Sequence, residues 1–136
     1  MKIIAIGGGG FTHQTFPDLD DFCLTHVKTG HPKLGYIGTA SNDEPQKVER
    51  FISRFAGGAQ TTIHLTSDLS GQALRHAIRG LDLIYVGGGD TQKMLEIWNN
   101  NGWDLVLKEA YEKGVILAGV SAGAMCWFDQ FLFSSG

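Results

Sequence analysis

The sequence predicts an α/β fold, a three-layer sandwich on a mainly parallel sheet. Three observations lead there. Strand-like and helix-like segments alternate along the whole chain. The strand-like segments are continuous apolar runs, as expected of strands covered on both faces. Glycine clusters close several of them, where a strand must turn into a crossover helix.

Ile3, Ile4, Ala5 and Ile6 mark a buried strand over 2–6, ended by four glycines, Gly7 to Gly10. Asp18, Asp20 and Asp21 suit the start of a helix over 18–28, where the helix dipole favours negative charge. Gly30-His31-Pro32 breaks it. A second strand covers 34–39. Ala40-Ser41-Asn42-Asp43 reads as a polar loop, and Glu44-Pro45 opens a helix. In that helix Val48, Phe51, Ile52 and Phe55 recur at i, i+3, i+4 and i+7, which predicts one core face. Gly57-Gly58 stops it.

A third strand covers 61–65. Ser67 or Ser70 caps a helix that runs to Arg79, with Leu74, Ala77 and Ile78 inward and Gly80 as its stop. The fourth strand, 81–86, ends in Gly87-Gly88-Gly89-Asp90-Thr91. A helix follows over about 91–98. Asn99, Asn100, Asn101 and Gly102 read as a turn. A helix over 103–113 points Leu107, Ala110 and Tyr111 inward, and Gly114 ends it. The last strand covers 115–120.

Composition narrows the function classes. A chain of 136 residues suggests one domain, spanning 1–136, with 43% apolar and 18% charged residues as in soluble globular proteins. The net charge of −3 argues against a nucleic-acid partner, which favours a basic face. No apolar run has the length of a membrane span, and the first six residues are too short for a signal peptide. Cys23 and Cys126 give neither a disulfide framework nor metal-ligand spacing. The expected compartment is the cytoplasm.

In parallel sheets ligands gather beyond the carboxyl ends of the strands. The loops 7–13, 87–91 and 119–123 therefore share one edge. Gly119-Val120-Ser121-Ala122-Gly123 has the G-x-S-x-G form of a nucleophile elbow, a sharp strand-to-helix turn that exposes a serine hydroxyl. The competing reading is a glycine-rich turn in which Ser121 only caps a helix. The second glycine turn favours the elbow. An oxyanion hole takes one backbone N–H from the residue after the nucleophile, Ala122, and another from a neighbouring loop, for which Gly89 is the choice. Removing one such donor costs about 3–4 kcal/mol of transition-state stabilisation. Asp90 or Thr91 as a helix cap is compatible with that role. Gly7 to Gly10 do not make a nucleotide site: no Gly-Lys-Ser/Thr follows, and His13 stands where a dinucleotide fingerprint needs its third glycine.

The two motifs together, Val86-Gly-Gly-Gly-Asp-Thr91 and Gly119-Val-Ser-Ala-Gly-Ala124 with a helical hairpin between them, resemble the peptidase E (aspartyl dipeptidase) family of serine peptidases, which includes cyanophycinase. The resemblance covers essentially the whole chain. It implies a fold like that of class I glutamine amidotransferases. It implies Ser121 as nucleophile, Gly89 and Ala122 as oxyanion donors, and hydrolysis of short peptides beginning with aspartate, without cofactor or metal. A cyanophycinase-like β-aspartyl peptidase and a non-catalytic binding module on the same scaffold are the alternatives.

The chain departs from the family after Ser121. The family's histidine base follows the serine, whereas His13, His26, His31, His64 and His76 all precede it here. Asp129 is the only acid after Ser121 and a candidate partner. His13, after the first strand, is a candidate base. The expectation is a C-terminally truncated member, incomplete in its fold and inactive by itself. Trp127, Phe128, Phe131, Leu132 and Phe133 would then form an apolar patch prone to self-association.

Overall fold

A computed structural model describes residues 3–6, 30, 32–55 and 61–120. Among these residues five strands form one sheet: β1 (Ile3–Ile6), β2 (Lys33–Ile37), β3 (Thr61–His64), β4 (Leu83–Val86) and β5 (Ile116–Val120). Their order is β1-β5-β4-β2-β3, and every neighbouring pair is parallel. The helices are α1 (Pro45–Phe55), α2 (Gly71–Ala77), α3 (Thr91–Asn101) and α4 (Trp103–Glu112), with a 3-10 turn at Thr39–Ser41.

Successive strand side chains point to opposite faces, and both faces are covered. On one face Leu34, Tyr36, Leu83, Tyr85, Ile116 and Ala118 pack with Phe51 and Phe55 of α1. Its centre is aromatic: the Phe51 ring lies 4.8 Å from Tyr36, 4.8 Å from Phe55 and 5.6 Å from Tyr85. On the other face Ile84, Val86 and Leu117 pack with Leu74, Met94, Trp98, Trp103 and Leu107 of α2, α3 and α4. All four β4 side chains are buried, which explains why that strand reads as an unbroken apolar run. Each large side chain so buried contributes roughly 1.5–3 kcal/mol.

The tryptophans bury indole rings without stranding their N–H groups. Trp98 Nε1 donates to Thr39 Oγ1 at 3.2 Å, and Trp103 Nε1 donates to the Leu69 carbonyl at 2.7 Å. The rings stack 6.3 Å apart across the corner at Gly102. That corner is tight because Gly102 takes φ +77 and serves as both the C-cap of α3 and the N-cap of α4.

Several expectations are corrected. The Asn99–Asn101 turn is the last part of α3, and Gly102 makes the bend. Asn101 Nδ2 donates to the Ser67 carbonyl at 3.0 Å, a tertiary contact that offsets the low helix propensity of asparagine. Ile52 is 41% exposed, so the core stripe of α1 is narrower than the periodicity implied. The 3-10 turn, closed by Ser41 N–H donating to the Gly38 carbonyl at 3.0 Å, takes over where β2 was expected to continue to Thr39. Ser70, not Ser67, caps α2, accepting from the Ala73 N–H at 3.1 Å. The helix expected over 18–28 lies outside the described residues.

Candidate active site

Because the strands are parallel, their carboxyl ends form one edge. β5 lies between β1 and β4. Ile6 pairs with Val120, and Val86 pairs with Gly119. The strands that lead into the three predicted loops therefore finish side by side. Ser121, Ala122, His13 and Asp129 lie outside the described residues, as does the apolar segment 127–133.

Gly89, the remaining predicted site residue, is placed closely. Its φ of +146 is a glycine conformation, and a Cβ there would strike the Ala40 carbonyl oxygen and lie 2.6 Å from its carbon. The next peptide is tied to the same group: Asp90 N–H donates to the Ala40 carbonyl at 2.7 Å. Among the described residues the Gly89 N–H has no hydrogen-bond partner. It precedes the N-terminus of an 11-residue helix, where orphan N–H groups and the dipole favour an anion. Asp90 caps that helix by accepting from the Lys93 N–H at 3.1 Å, one of the two caps expected.

Gly87 serves a different need. A Cβ there would lie 2.5 Å from the Tyr36 hydroxyl oxygen, so the turn requires the missing side chain for room. Burial pushes the Tyr36 hydroxyl up to about 12; the Ser41 hydroxyl opposes this, and the Asp43 and Glu44 carboxylates add to it. Tyr36 is thus a neutral phenol at physiological pH.

The loop after β2 braces this edge, and the sequence reading did not foresee it. Asn42 and Asp43 both take left-handed backbone, with φ of 57 and 55. Asparagine and aspartate tolerate that region better than other non-glycine residues. Asp43 then holds β3: Oδ1 accepts from His64 Nε2 at 2.9 Å, and Oδ2 from the Ser67 N–H at 3.1 Å. Since a carboxylate only accepts, Nε2 carries the proton in this bond. Ser67 Oγ donates to the buried Thr39 Oγ1 at 3.1 Å, and Lys93 Nζ donates to Asn42 Oδ1 at 2.5 Å. The Asn-Asp pair is the available sequence signal, but its partners are distant in the chain. Among the described residues no three His, Cys, Asp or Glu side chains gather as metal ligands, and no helix is long and apolar enough to cross a membrane.

Comparison with known proteins agrees with this architecture. A structure of a protein designated a peptidase E protein from Listeria monocytogenes EGD-e matches with a TM-score of 0.71 at 21% identity, covering 96% of this chain and 67% of that one. A peptidase from an acI-B1 Actinobacterium matches with a TM-score of 0.72 at 19% identity, covering 92% and 55%. These likenesses define the class of protein: a parallel α/β chain with the fold of peptidase E-like structures. The model of peptidase family S51 matches residues 3–135, and the chain belongs to that family. The peptidase YgaJ of Bacillus subtilis (strain 168), itself uncharacterized, is 39% identical over 137 residues, which cover 95% of this chain. The chain spans 57% of the length of that relative.

Proposed function

We propose that this chain carries the nucleophile and oxyanion hole of a serine-type hydrolase acting on short peptides, in particular Asp-X dipeptides. Ser121 Oγ attacks the peptide carbonyl carbon, and the carbonyl oxygen becomes an oxyanion. The N–H groups of Gly89 and Ala122 donate to it. The C–N bond then breaks, the amine leaves with the proton taken from Ser121, and water releases the acyl group by the reverse exchange.

One observation carries the reading. β5 is an interior strand, and it delivers the chain toward Ser121 beside the turn where the Gly89 N–H has no partner among the described residues. Family membership supports it. The base is a histidine from outside these 136 residues, so the chain by itself turns over Asp-X dipeptides little or not at all.

A fluorophosphonate probe followed by peptide mapping tests this. The expected result is one adduct on Ser121, absent in Ser121→Ala. Equal labelling of both chains overturns the reading. Brisk Asp-X hydrolysis by the 136-residue chain, lost in His13→Ala, would instead assign the base to His13.

A further inference from the structure

The edge opposite the candidate active site holds a cavity of 310 Å3. Gly80 and Val115, which precede β4 and β5, belong to its wall. The apolar part of the lining is Ile78, Val106, Ala110 and Val115. Arg75, Arg79, Lys113 and Glu109 supply the charges. A Cβ added at Gly80 would meet nothing within 4 Å, so the cavity is open there.

The charge balance decides what fits. Three cations face one carboxylate in a chain whose net charge is −3. Glu109 is engaged on both oxygens: Oε2 lies 2.7 Å from Arg75 Nη2, and Oε1 lies 3.7 Å from Lys113 Nζ. The hydrogen bond and charge of Arg75, then the charge of Lys113, hold its carboxyl below the ordinary range, so it stays ionised. Arg79 is exposed and has no ion pair among the described residues. Both α2 and α4 end here, and each helix end carries roughly half a negative charge. The surplus left is about one positive charge. Helix ends attract cations without any ligand, but that does not account for an apolar hollow between them.

We propose that this cavity binds a small organic monoanion, a carboxylate on a short aliphatic body. The head sits between Arg79 and Lys113, and the body covers Ile78, Val106, Ala110 and Val115. The volume, about ten times a water's share of liquid, suits an acid of around six carbons. A surplus of one charge favours a carboxylate over a phosphate dianion. The proposal does not depend on the peptidase reading.

Sodium hexanoate titrated into the 15N-labelled chain, followed by NMR at constant ionic strength, tests it. Saturable shifts are expected at the Gly80, Lys113 and Val115 amides. Hexanol and inorganic phosphate should bind at least about tenfold more weakly, a gap of ~1.4 kcal/mol. Changing Arg79→Ala and Lys113→Ala together should weaken hexanoate about tenfold, while Glu109→Gln, which removes the competing anion, should tighten it severalfold. Absence of saturation, shifts centred elsewhere, hexanol or phosphate binding as tightly as hexanoate, or unchanged affinity in the double variant would each overturn the proposal. These side chains are exposed or half-buried, so the variants keep the fold.

Discussion

β4 has a glycine turn at each end, and the two turns differ in what holds them. At its start Gly80 has φ +81 and open space where a Cβ would sit. At its end Gly87 faces the Tyr36 hydroxyl, and Gly89 combines φ +146 with backbone of Ala40 and Ser41 in the space a Cβ would take. The first turn needs glycine only for its dihedral angle. The second needs it for angle and for volume, because another loop is pressed into it. A helix stop tolerates conformational strain, whereas a turn proposed to present an N–H to a reacting oxygen has to be located by its neighbours.

Gly89→Ala should therefore have the largest effect. A disallowed angle and a backbone clash together cost roughly 3–5 kcal/mol, measured by urea unfolding. Fluorophosphonate labelling of Ser121 should slow in the same variant. A loss below about 1 kcal/mol would remove the contrast between the two turns.

The next effect concerns Tyr36, which packs against Gly87. Below pH 10 the phenol is neutral in both the folded and unfolded chain, and its contribution is fully present. Above that the unfolded phenol ionises while the folded one, with a value of about 12, keeps its proton. Stability thus falls between about pH 10 and 12, by on the order of 2–3 kcal/mol. Urea melts at pH 9 and 11.5 should show this fall in the wild type, reduced in Tyr36→Phe. An equal fall in both would assign it to other groups.

The smallest effect is expected at the opposite turn. Gly80→Ala should cost about 1 kcal/mol, and Gly80→Asn less, since only the left-handed conformation is at stake. If thermal and urea melts place Gly80→Ala level with Gly89→Ala, crowding does not distinguish the turns.

What could be read from the sequence was local. The order of strands and helices, the Asp90 cap and the glycine stops at Gly80 and Gly114 each depend on a few adjacent residues. Contacts between distant segments were not legible. The exposure of Ile52 depends on how wide a stripe α1 buries, which periodicity does not state. The helical Asn99–Asn101 depends partly on a carbonyl at Ser67. From the sequence His64 is only a histidine within the third strand, and its tie to Asp43, at the end of another loop, has no local signal. A glycine turn next to the elbow strand marks Gly89 as the oxyanion-donor candidate, but the Ala40 carbonyl that ties this turn has no sequence signature.

The strand order also bears on synthesis. Among the described strands β1 pairs only with β5, so Ile3 must wait for Leu117. A ribosome adding about 5–20 residues per second needs on the order of ten seconds to make that stretch. Meanwhile β2, β3 and β4 can pair with one another, since β2 neighbours the other two and all three are made before β5. Of the five described strands β1 is then among the last to be seated, and until β5 emerges its apolar run can meet a chaperone or another nascent chain.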